Sequence, residues 1–170
     1  MTTTQQELWQ RLEAFELDDV TSSFTFSDRL ARENSWSIEY CLRAILEYKK
    51  FIFLSCVRNQ PLTPSDEIDQ VWHLHLLYTH SYWIEMCQDT INRQIHHGPT
   101  RGIEERGVFK DQYQQTLDDY TEIFGVVPPK DIWPPKDTRF KSIHFSRVNR
   151  DQNWIIPKLK LFRKWQNFLN

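Results

Sequence analysis

Glycine is scarce in this chain, with four residues in 170. That argues against a turn-rich all-β sandwich, whose tight turns call on glycine for positive φ. Cysteine is sparse and odd in number: Cys41, Cys56 and Cys87, each inside an apolar helical pattern. Such a set is no disulfide framework, so a reducing, cytoplasmic setting is expected. No long hydrophobic run is present. The most apolar stretch, Phe51 to Val57, is far too short to span a bilayer. Met1 to Glu7 has neither a basic n-region nor an apolar h-region, so no signal peptide is expected. Charge of one sign is lacking too. A formal net charge of −2 exerts no general pull on nucleic acid. Neither CxxC nor HExxH occurs, no serine sits in a GxSxG elbow, and no glycine-rich phosphate loop is found. Triad hydrolysis and nucleotide cofactors are therefore without support.

What the chain does have is aromatic mass: 14% of residues, seven of them tryptophan, which points to a packed chain and not a disordered one. The length is that of one domain with a real core, and residues 1–170 are read as a single domain. Apolar spacing predicts helices. Leu8, Leu12 and Phe15 form a short amphipathic face, and Ser27 is the expected cap of a second helix through Leu30 and Ala31. Ile38, Cys41, Leu42, Ile45, Ile52 and Cys56 predict a central helix from about Trp36 to Val57, with Glu39, Arg43, Glu47 and Lys50 on its polar side. Thr63 as N-cap and Pro64 at the first helical position predict a helix over 64–79, continuing with a kink through Trp83 and Cys87. A loop over 92–102 and a helix over 104–124 follow, the latter ended by Gly125. Two Pro-Pro pairs make 126–135 extended and irregular, a strap held down by Ile132 and Trp133. Thr138 to Val148 alternates weakly, as a short β element or a loop would. Residues 141–170 form a C-terminal extension ending in a basic amphipathic helix from Trp154 to Leu169, a surface for a protein partner or only a solvated face. The fold class expected is all-α: a multi-helix bundle with an irregular proline-rich strap.

Five of the six histidines fall between positions 73 and 97. At 100° per residue, with Asp69 at zero, His73 lies at about 40° and His80 at about 20°, whereas His75 lies at about 240°. Asp69, His73 and His80 share one stripe, and an unbroken helix aims His75 elsewhere. Side chains one turn apart converge, which is how helices hold metals. The loop pair His96 and His97 could add imidazoles. These suit zinc first, iron or copper next, with Asp69 as ligand or orienter. Three ligands would leave a position open for water or substrate, and Glu105 is the nearest candidate for a general base. The bland alternative is that histidines beside tryptophan are core groups hydrogen-bonded through a ring nitrogen.

Asp69-x-x-Trp72-His73-x-His75-x-Leu77, with Tyr82 after it, resembles the D-x-x-W-H-x-H signature of the glycine-rich-domain-containing proteins of plants and their bacterial relatives. The bacterial branch is similar over Val71 to Thr79, Ser81-Tyr82-Trp83 and His96-His97-Gly98-Pro99-Thr100. The similarity continues through Glu105, Phe109, Tyr113, Tyr120, Phe124-Gly125, Pro128-Pro129 and Asp131-Ile132-Trp133-Pro134-Pro135. It covers about residues 35–140. The resemblance implies no settled activity. It favours Asp69, His73, His75, His96 and His97 as site residues, with Trp72, Tyr82 and Tyr113 in support. Many members carry a glycine-rich tail, sometimes with membrane segments, and neither is seen here. Two departures stand out: Gly102-Ile103 replaces the family's Gly-Gly, and His80 lies outside the signature. Two functions follow as expectations. One is a metal-binding domain that could be a metal-dependent enzyme, hydrolytic or oxidative. The other is a non-enzymatic interaction domain in which the tryptophan-histidine motif only packs.

Overall fold

Side-chain oxygens start the first four helices. Thr2, Thr25, Ser37 and Ser65 each accept a backbone N–H three residues on, satisfying an orphan donor of the first turn. They open α1 (Thr3–Ala14), α2 (Phe26–Asn34), α3 (Ile38–Val57) and α4 (Asp66–Leu77). This computed structural model describes residues 1–98, 106–141, 148–149 and 151–156. Two caps differ from expectation. Thr25, not Ser27, caps α2; the Ser27 N–H and hydroxyl both donate to the Asp18 carboxylate, each at 2.7 Å. Ser65, not Thr63, caps α4. Thr63 is engaged elsewhere: its hydroxyl donates to Gln112 Oε1 at 3.0 Å, and its N–H to Thr116 Oγ1 at 3.2 Å.

α3 is the hub, packed against α1, α2, α4 and α5 (Arg106–Phe124). Its buried residues include Cys41, Ala44, Ile45, Tyr48, Phe51 and Ile52. Ile38 and Leu42, expected inside, are exposed, and Glu47, expected outside, is buried. The reason is a second neighbour on the Glu47 side. Trp133 is buried there and donates its indole N–H to Glu47 Oε2 at 2.9 Å. Lys50 Nζ at 2.7 Å and the Tyr120 hydroxyl at 3.2 Å donate to Oε1. A buried carboxylate so supplied with donors, one of them cationic, no longer needs water. Nearby, the Arg43 guanidinium pairs with Asp131 at 2.9 Å, and the Tyr40 hydroxyl donates to the Asp131 carbonyl at 2.8 Å. Residues 126–135 are non-helical, with Ile132 and Trp133 in the core.

α4 stops at Tyr78, whose backbone (φ −87°, ψ 65°) leaves the helical region. A π-helix, Ser81–Thr90, follows. Its wider i→i+5 winding puts Tyr82, Met86 and Cys87 inside, then Ile91 just beyond its end. The Thr90 hydroxyl donates to the Glu85 carbonyl at 2.7 Å, and Arg11 Nε from α1 donates to the Thr90 carbonyl at 3.0 Å. α5 ends at Gly125, whose φ of +70° is the left-handed turn that glycine adopts freely. A single-turn helix, α6 (Lys136–Arg139), takes up Thr138 and Arg139, where a β element or loop was expected to begin; the Thr138 N–H donates to the Pro135 carbonyl at 2.8 Å. Residues 142–147 and 157–170, with most of that element and of the basic helix, lie outside the described residues. Among the described residues there is no strand, and no helix is long and apolar enough to cross a membrane.

Glu47→Ala strips three donors of their acceptor and leaves Lys50 half-buried without its anion. Urea unfolding is expected to show a loss of about 3 kcal/mol. A loss below about 0.5 kcal/mol, the range of ordinary surface substitutions, would mean that the network does not hold residues 126–135 against α3.

Candidate metal centre

The Asp69 carboxylate stands one helical turn before His73 on α4, so both side chains leave the helix on one face. His73 Nδ1 lies 2.8 Å from the Asp69 carbonyl and 3.3 Å from Asp69 Oδ2. A carbonyl can only accept, so Nδ1 carries a proton, and in the neutral ring Nε2 holds the lone pair. His97 reaches the same carboxylate from the segment after the π-helix, its Nε2 2.8 Å from Asp69 Oδ1. The two imidazoles lie 4.4 Å apart, centre to centre. One donor atom from each of Asp69, His73 and His97 fits within 4.8 Å of the other two. His97 is nearly buried at 16% exposure, whereas His73 at 52% opens the cluster to solvent.

Electrostatics follow from that packing. Burial would raise the Asp69 carboxyl, but hydrogen bonds from His73 and His97 and their charges outweigh it and hold it down to about 2. His73 is raised, first by its hydrogen bond to Asp69, with partial desolvation opposing. The acid is therefore ionised at neutral pH and faces two imidazoles.

Trp72 and Tyr82 put His97 in place. The Trp72 indole N–H donates to the Tyr82 hydroxyl at 3.0 Å, and that hydroxyl donates to the Ile95 carbonyl, two residues before His97. The Trp72 ring meets the His97 ring nearly edge-on at 4.5 Å.

The other expected residues lie elsewhere. His96 turns away from Asp69 and sits 5.5 Å from the Trp83 ring. His75 is fully buried on the far face of α4. Its Nδ1 shares a hydrogen bond with the Tyr48 hydroxyl at 3.0 Å and its Nε2 one with Ser81 Oγ at 3.3 Å, among Phe15, Phe26 and Tyr82. His80 is exposed beside Glu85, because the break at Tyr78 removes it from the α4 stripe. The buried Tyr113 hydroxyl donates to the Pro134 carbonyl at 2.7 Å, away from the cluster. Glu105 lies outside the described residues. A groove lined by Trp72, Arg93 and His96 borders the same segment. No periodicity or motif signals Arg93, which follows the irregular end of the π-helix. No family model, curated protein or solved structure matches this chain.

Burial lowers the His75 pKa to about 3, from 6.5 unperturbed. Between these values the unfolded chain binds the extra proton, so the folded state is favoured fully above pH 6.5 and progressively less as pH falls toward 3. From pH 6.5 to about pH 5 this group alone should remove roughly 2 kcal/mol of stability. Between pH 6.5 and about 5 the urea-unfolding free energy of the wild type should fall by that much more than that of His75→Gln. Parallel curves would mean that His75 protonates inside the fold without penalty.

Proposed function

We propose that Asp69, His73 and His97 hold one divalent transition metal, zinc first and iron or copper next, in a protein related to the glycine-rich-domain-containing family. The observation that carries this reading is a single carboxylate within hydrogen-bond reach of two imidazoles that arrive from different parts of the chain. A tetrahedral ion with ligands about 2.0 Å away spaces its donors roughly 3.3 Å apart. The 2.8 Å from His97 Nε2 to Asp69 Oδ1 is near that spacing, and one donor atom of each of the three side chains already lies within 4.8 Å of the other two. Two imidazoles and one carboxylate are the donor set of zinc hydrolases and also of non-haem iron oxygenases. A bound metal of either kind would supply an activated water or an oxygen-binding position, reached from the exposed side of His73. Asp69 would be a ligand or, through the His73 Nδ1–H, an orienter that leaves Nε2 to coordinate. Protons compete for the same nitrogens, so affinity should fall as pH falls.

A second reading has an observation of its own. Trp154, Ile155 and Ile156 are exposed in sequence, at 97, 61 and 83%. Such a patch suits a partner protein. In that case the Asp69 cluster is a satisfied ionic pin between α4 and residues 95–98, and the basic segment 157–170 adds charge to the contact.

Metal analysis by inductively coupled plasma mass spectrometry of untagged protein separates the two. Near one equivalent of metal is expected in the wild type and in His80→Ala. His73→Ala and His97→Gln should lose at least about tenfold in affinity by competition with a chelator while keeping their helical circular dichroism. Protein that stays metal-free after incubation with zinc, iron and copper would leave the interaction reading.

A further inference from the structure

His96 and His97 are neighbours in sequence, yet one of them alone reaches Asp69. His97 Nε2 lies 2.8 Å from Asp69 Oδ1, whereas the exposed His96 ring lies 5.5 Å from that of Trp83. Asn92, at φ +50°, interrupts the helical winding, so no helical register carries on to the histidines. From Asn92 to Gly98 the one buried residue is Ile95. Ile95 is held on both sides. Its carbonyl accepts the Tyr82 hydroxyl, and its N–H faces the Cys87 thiol, which also meets the Tyr82 hydroxyl. Two residues earlier, the Arg93 N–H donates to the Cys87 carbonyl at 2.8 Å. Tyr82 and Cys87 are both buried residues of the π-helix, so the grip comes from its packed inner face. Burial then alternates along the chain: Ile95 inside, His96 exposed, His97 at 16% exposure. A slip of one residue reverses such an alternation and would exchange the two imidazoles.

We propose that the Tyr82 hydroxyl, with the Cys87 thiol behind it, is a positioning group that selects His97 over His96 as the imidazole facing Asp69. The selection is a property of the metal-free fold. It deepens the metal reading and rests on that reading only for the zinc measurement below. Tyr82 acts through the Ile95 carbonyl, not on the imidazole itself. A buried hydroxyl whose donor and acceptor partners are both fixed can do this, because no water is at hand to take over a lost bond.

Ring-to-ring nuclear Overhauser contacts in the metal-free protein test the selection. In the wild type, His97 should show contacts to Trp72 and His73, at 4.5 and 4.4 Å between ring centres, and His96 to Trp83. Tyr82→Phe should weaken the His97 contacts and give His96 new ones to His73. Cys87→Ala should shift the same way to a lesser degree, and it decides the matter if Tyr82→Phe does not fold. Tyr48→Phe removes another buried tyrosine hydroxyl, the one on His75, and should leave the wild-type pattern intact. A zinc titration is the second readout: binding at least about tenfold weaker in Tyr82→Phe, with a His96 nitrogen among those that move. Zinc that fails to bind the wild type would remove the metal reading and leave the ring contacts to decide the selection. Unchanged His97 contacts in Tyr82→Phe, departure of His97 with His96 still on Trp83, or the same change in Tyr48→Phe would each overturn it.

Discussion

The Tyr82 hydroxyl accepts the Trp72 indole N–H at 3.0 Å and donates to the Ile95 carbonyl. Three separate stretches meet at that one buried oxygen: α4, the π-helix and the segment carrying His96 and His97. None of its lone pairs or protons can turn to water, so losing either partner leaves a buried group unsatisfied. With Ile95 pinned, His96 is directed toward the groove and His97 toward Asp69. The π-helix earns its place here, since its wider winding lets Tyr82, Met86 and Cys87 all point inward ahead of Ile91. Histidine placement is thus a consequence of backbone geometry some ten residues earlier.

Asp69 depends on the same arrangement. It sits near the start of α4, where a negative charge is favoured by the helix dipole, and beside two imidazoles that hold it ionised. A carboxylate three-quarters withdrawn from solvent is tolerable only because both of its oxygens are engaged. Removing either imidazole should be felt by the other through Asp69.

Much of this was legible in the residues. Helical spacing placed the major helices, and the 100° arithmetic put Asp69 and His73 on one face with His75 on another, where it lies buried against Tyr48. Gly125 ended its helix for the reason glycine usually does. Other features were not legible because their causes are remote in sequence. Glu47 looks like a solvent-facing charge until Trp133, far along the chain, supplies its donor. His80 matches the Asp69 stripe only if the helix is unbroken, and Tyr78 breaks it. Which of His96 and His97 turns to Asp69 is set in an irregular segment, where no periodicity exists to read. Thr63 offered a good cap in isolation, but its hydroxyl is taken by Gln112.

A zinc titration followed at the imidazole nitrogens by long-range ¹H–¹⁵N correlation tests the central claim residue by residue. If Asp69, His73 and His97 form the centre, one nitrogen of His73 and one of His97 should move to the metal-bound range together, saturating at one equivalent. His75, His80 and His96 should keep their metal-free positions. Movement confined to His80 or His96, or no movement of His73 and His97 at saturating zinc, would contradict the assignment and leave the cluster as an ionic pin.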